Sequence, residues 1–71
     1  MISQFIGIVV NGKPRDVAMK TTLPSLLADL GVDRRTIAVA LNEEVIPKTQ
    51  YESVTLNEGD RIEIVRMVGG G

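Results

Sequence analysis

The chain has 71 residues and a formal net charge of −1, with eight Lys and Arg against nine Asp and Glu, and it contains no Cys, His or Trp. A chain this short is a single domain near the lower limit for a free-standing core, and the missing residues exclude a disulfide framework, a thiol nucleophile, the usual zinc and copper ligands and the commonest general base. The balance of 44% hydrophobic and 24% charged residues is globular, no apolar run approaches the roughly 18 residues of a membrane span, and no basic stripe with interleaved aromatics points to nucleic acid.

The opening Met1-Ile2-Ser3-Gln4 lacks the charged start of a signal peptide, which makes the cytoplasm the expected compartment. Phe5-Ile6-Gly7-Ile8-Val9-Val10 is rich in β-branched residues and too short for a helix, so it reads as a strand. Asn11-Gly12 then marks a hairpin turn, because both central residues of that turn must accept positive φ. A returning antiparallel strand is expected from about Arg15 to Met19, with Pro14 at its start, where a missing N–H is tolerated. Thr21-Thr22 offers an N-cap hydroxyl and Pro24 suits a first helical turn. Leu23, Leu26, Leu27 and Leu30 follow at helical spacing as one apolar stripe, and Gly31 supplies the left-handed stop.

Beyond the helix, Ile37-Ala38-Val39-Ala40-Leu41 reads as a strand buried on at least one face, ending at the polar turn Asn42-Glu43-Glu44. Val45-Ile46 is a short strand fragment stopped by Pro47. Lys48 to Thr55 is irregular, with room for one helical turn and with Tyr51 over the edge of the core, its hydroxyl in water. Leu56-Asn57-Glu58-Gly59-Asp60 is a further turn, and Arg61 to Val68 forms the last strand. Its alternation sets Ile62 and Ile64 on one face and Arg61, Glu63 and Val65 on the other. The order predicts an α+β chain of the β-grasp (ubiquitin-like) type, a mixed sheet of four or five strands with one main helix on one face. The place of the last strand in the sheet stays open.

The domain is expected over residues 1–68, followed by a flexible tail over 69–71 made of Gly69, Gly70 and Gly71. Glycines have no side chains to pack and lose the most entropy on ordering. Fully extended, three residues reach roughly 10 Å, a thread thin enough for a channel in which any side chain would clash. Terminal glycines taken alone are often a plain chain end. Here they follow directly on the last strand of a β-grasp pattern.

The chain resembles the thiazole-biosynthesis sulfur carriers, the ThiS family. The resemblance is carried by Ala38-Val39-Ala40-Leu41-Asn42, Val45-Ile46-Pro47-Lys48, Leu56-Asn57-Glu58-Gly59-Asp60-Arg61-Ile62-Glu63-Ile64 and Val68-Gly69-Gly70-Gly71, with Val10-Asn11-Gly12 and Leu26-Leu27-Ala28-Asp29-Leu30-Gly31 agreeing in the first half. Its one mild departure is Lys48, where many relatives carry Arg. The resemblance implies that an adenylating enzyme of the ubiquitin-activating type uses ATP and magnesium to activate the Gly71 carboxylate. A persulfide donor then replaces AMP to leave a thiocarboxylate, and thiazole synthase takes the sulfur. On that reading the chain is not itself an enzyme and binds no cofactor or metal of its own.

Phe5, Val65 and Met67 fall on the sheet face away from the helix if Ile6, Ile8, Val10, Ile62 and Ile64 point inward, and form an expected docking patch beside the tail. Arg61 and Arg66 flank that strand as solvated charges, and Arg34-Arg35 reads as a solvated turn. Glu43-Glu44 and Glu58/Asp60 resemble paired carboxylates, yet both sit in turns without a third convergent ligand. A molybdopterin-synthase small subunit, a ubiquitin-like modifier joined to lysines and a plain interaction domain remain the competing readings.

Overall fold

Asn11 and Gly12 take φ values of 49° and 81° and turn the chain between β1 (Phe5–Val10) and β2 (Lys13–Ala18). This is the two-residue hairpin loop that the Asn-Gly pair predicts. Pairing runs from Phe5↔Ala18 to Val10↔Lys13, so so tight a turn draws Lys13 and Pro14 into the ladder ahead of the expected start at Arg15. Pro14 is tolerated inside β2 because that strand lies at the sheet edge. The computed structural model describes residues 4–67.

Helix α1 spans Leu23–Leu30. The Thr22 hydroxyl accepts from the Ser25 N–H at 3.3 Å, satisfying one of the free donors of the first turn. At the other end Gly31 sits at φ 71°. The Gly31 and Val32 N–H groups donate to the carbonyls of Ala28 and Leu27 at 3.1 and 3.2 Å, the paired bonds of a Schellman motif. The leucine stripe faces the sheet: Leu23, Leu26 and Leu27 are buried, and Leu30 is half-buried at the rim.

A 3₁₀ turn, Arg34–Thr36, leads into β3 (Ile37–Leu41), which pairs antiparallel with β4 (Glu44–Ile46). Six residues of 3₁₀ helix, Lys48–Ser53, follow, and the chain then runs past the start of α1. There the Leu23 N–H donates to the Val54 carbonyl at 3.0 Å and the Leu56 N–H to the Thr21 carbonyl at 2.9 Å. Strand β5 (Arg61–Arg66) settles what the sequence leaves open. The five strands lie in the order β2-β1-β5-β3-β4, with β5 parallel to β1 and antiparallel to β3. The predicted β-grasp arrangement of a mixed sheet under one main helix is the observed one.

The core lies between the helix and one sheet face, built on Ile8, Val17, Ile37, Val39 and Ile62 beneath the leucines. Tyr51 differs from expectation. It is completely buried, and its hydroxyl has no hydrogen-bond partner among the described residues. An aliphatic core this small recruits the ring for its volume, while the Arg34 guanidinium lies 5.3 Å from the ring centroid. A buried hydroxyl without a partner opposes folding. Tyr51→Phe is therefore expected to keep or raise stability by up to about 1 kcal/mol, whereas Leu26→Ala should cost about 2–5 kcal/mol; urea unfolding of the two variants checks both.

Candidate functional site

Gly69, Gly70 and Gly71, and the boundary expected between domain and tail, lie outside the described residues. What the structure defines is the root from which they follow. The last strand is expected to run to Val68, which lies outside the described residues; β5 spans Arg61–Arg66, and the Met67 N–H still donates to the Thr36 carbonyl at 2.8 Å. β5 stands between two partner strands, so the chain reaches its final residues from the middle of the sheet.

Asn42 governs the register of β5. With φ at 51°, its backbone N–H donates to the Arg61 carbonyl at 2.8 Å and its side-chain oxygen accepts from the Arg61 N–H at 2.9 Å. Its amide also donates to Asp60 Oδ1 at 3.1 Å, while Asp60 Oδ2 accepts from the Asn57 N–H at 2.7 Å. Glu58 Oε1 accepts from the Gly7 N–H at 3.0 Å, and the Gly59 N–H donates to the Gly7 carbonyl at 2.8 Å. These two carboxylates thus hold backbone and side-chain donors that bring β5 into the sheet. Among the described residues no three His, Cys, Asp or Glu side chains gather as a metal site.

The arginines expected as a solvated turn are paired. Arg34 meets Glu52 at 2.6 Å, and Arg35 donates from Nε and Nη2 to Asp33 at 3.1 and 2.9 Å. Hydrogen bonds from the Arg35 side chain and backbone lower the Asp33 pKa from 3.8 to about 2. With the folded value depressed, this interaction is at full strength above the ordinary carboxylate range and is lost only as pH falls through about 2. Arg61 and Arg66 are exposed, as expected.

Phe5, Val65 and Met67 are all exposed, but they do not form one patch. In the parallel β1–β5 pair Val9 faces Arg61. Phe5 therefore lies four residues before that point and Val65 four residues after it, roughly 26 Å apart along the strands at 3.3 Å per residue. Phe5 belongs to the opposite end of the sheet. Beside Val65 stand residues outside the expected patch. Ala38 pairs with Val65 and Ala40 with Glu63, and Val45, 71% exposed, pairs with Ala40. The outer face next to the root is thus a low apolar surface of Val65, Ala38, Ala40 and Val45. Its signal was present in the alternation of Ala38 and Ala40 with Ile37 and Val39, whose inward positions are buried.

The model of the ThiS family matches residues 8–71. The chain belongs to the ThiS family. It is 42% identical over 65 residues to the sulfur carrier protein ThiS of Bacillus subtilis, covering 87% of this chain and 96% of that one. It is 45% identical over 64 residues to a thiazole synthase of Paramagnetospirillum magneticum, with 90% of this chain covered but only 20% of the length of that relative. The crystal structure of a thiamine biosynthesis protein (ThiS) from Geobacter metallireducens superposes with a TM-score of 0.81 at 33% identity, over 93% of this chain and 100% of that one. No helix among the described residues is long and apolar enough to cross a membrane.

Asn42→Ala removes both side-chain bonds and leaves a non-glycine residue at positive φ without local support. The expected loss is about 1–3 kcal/mol, read by urea unfolding, with the β5 amide cross-peaks shifting more than those of α1.

Proposed function

We propose that this chain is a sulfur carrier for the thiazole of thiamin and that its reacting group is the Gly71 carboxylate. The observation that carries the reading is the match of the ThiS family model through Gly71, on a fold whose central strand is the last element before the glycines in the sequence. The names of the relatives favour this pathway over molybdopterin synthesis or protein modification.

A carboxylate is a poor electrophile. An adenylating enzyme of the ubiquitin-activating type, with ATP and magnesium, converts it to an acyl adenylate and releases pyrophosphate. Attack by a protein persulfide at the acyl carbon expels AMP and forms an acyl disulfide. A second thiol cleaves that S–S bond, leaving the thiocarboxylate on Gly71 and a disulfide on the thiols. The thiocarboxylate is a soft nucleophile that thiazole synthase can accept. All of the chemistry resides in the partners, and the chain itself is not an enzyme. A ThiS-like stretch within a thiazole synthase supports that synthase as the acceptor. The cytoplasm, which supplies ATP, is the compartment assumed in this reading. In the tail, Gly70 and Gly69 supply narrowness and reach.

Val65, Met67, Ala38, Ala40 and Val45 are the docking surface in this reading, since an apolar centre with a charged rim suits a partner that binds in turn and leaves. Intact mass after incubation with an activating enzyme, ATP, magnesium and a persulfide donor should increase by the exchange of one oxygen for one sulfur. Removal of Gly71 should abolish the gain. No gain with an enzyme proven active on another carrier refutes the assignment. In the same assay Val65→Asp and Val45→Asp should raise KM on the order of tenfold, while Phe5→Asp at the far end leaves it unchanged.

A further inference from the structure

We propose that Asp33, Thr36 and Lys48 form a clamp that sets the direction in which the chain leaves β5, making them positioning residues for Gly71 in sulfur transfer. The proposal rests on the carrier reading and adds to it a device built from residues outside the docking face.

The last tether of the described chain is the bond from the Met67 N–H to the Thr36 carbonyl, 2.8 Å long and one residue beyond the end of β5. Where that carbonyl points depends on how the turn Arg34–Thr36 is held. The Thr36 N–H and hydroxyl both donate to the Asp33 carbonyl, at 2.9 and 2.8 Å. The Arg35 N–H donates to Asp33 Oδ1 at 2.9 Å, and the Arg35 carbonyl accepts from Lys48 Nζ at 3.0 Å. Successive peptide groups leading to the tether are thus each fixed by a separate bond. Lys48 brings in the start of the second 3₁₀ segment, thirteen residues away.

None of Arg34, Arg35 and Thr36 is buried, so this density of bonds is not a by-product of core packing. Immediately after the turn, Ile37 is buried and pairs with Arg66. The turn therefore sits where β5 gives way to the final residues. A reacting group at the end of a short thread samples a volume set by the freedom of its root. Restricting the root raises the effective concentration at which the group meets a docked active site. Once the thread is seated, the partner's channel dictates its geometry, so loosening the root should appear in KM rather than in kcat.

The test compares Lys48→Met, Asp33→Ala and the conservative Lys48→Arg, with Lys13→Met as a remote charge control. Amide exchange at Met67 should become about tenfold faster in the first two variants, with the thermal midpoint little changed. KM for adenylation should rise about three- to tenfold at constant kcat, and Lys48→Arg should restore both values. Unchanged Met67 exchange, or faster exchange with normal KM, overturns the clamp. Failure of the unaltered chain to be adenylated by a competent enzyme instead overturns the carrier reading, so the two failures are distinguishable.

Discussion

The structure depends on β5 occupying the centre of the sheet. That strand is the last along the chain, yet it pairs with both the first hairpin and β3, and its Ile62 is buried among residues from the whole domain. Without it the hairpin and the β3–β4 pair are two separate ribbons under one helix, and isolated two-stranded ribbons are marginal in water. The same placement has a functional consequence. A strand locked on both sides is the most rigid element from which to extend a reactive terminus, while an edge strand would move with its one partner.

The polar groups around Asn42 show how the chain enforces that placement. Parallel pairing of β1 with β5 requires β5 to enter the sheet at a defined height, and the pairs Val9↔Arg61 and Val10↔Ile62 define it. Asn42, Asp60 and Glu58 fix the entry by bonding donors at the strand's start and on Gly7. Carboxylates that could be mistaken for a chemical pair are committed to backbone geometry. This accords with a carrier: these ionisable groups maintain the register of β5.

Local signals in the sequence were legible because they act within a few residues. Asn11-Gly12 specifies its turn through positive φ, and Thr22, Pro24 and Gly31 delimit α1 through groups no more than five positions apart. The alternation of Ile62 and Ile64 revealed which face of β5 points inward. What could not be read was relative position across long loops. Whether Phe5 lies beside Val65 depends on the height at which two parallel strands pair, and their own residues do not encode it. The pairing of Arg34 with Glu52 and Tyr51, and of Lys48 with the Arg35 carbonyl, likewise follows from tertiary folding. The hidden Tyr51 hydroxyl is a local cost accepted for ring volume.

The sparse chemistry of the side chains and the specificity required of a carrier are compatible if, as proposed, recognition and reaction use different parts of the molecule. In the proposed function an activating enzyme and an acceptor each have to distinguish this chain from other glycine-tailed proteins, and three residues without side chains offer little to read. On that proposal discrimination falls to the folded face, where Val65, Ala38, Ala40 and Val45 present an apolar surface bordered by Arg61 and Glu63 on the same side of β5. The small alanines keep that surface flat, which allows partners of different shape to approach it in turn. A deeper pocket would favour one partner and slow exchange with the next, since tighter complexes differ chiefly in their dissociation rates. In the proposed function, flatness on the recognition face and rigidity at the root of the tail are thus complementary requirements: the first would let the carrier change partners, and the second would present the same group to each.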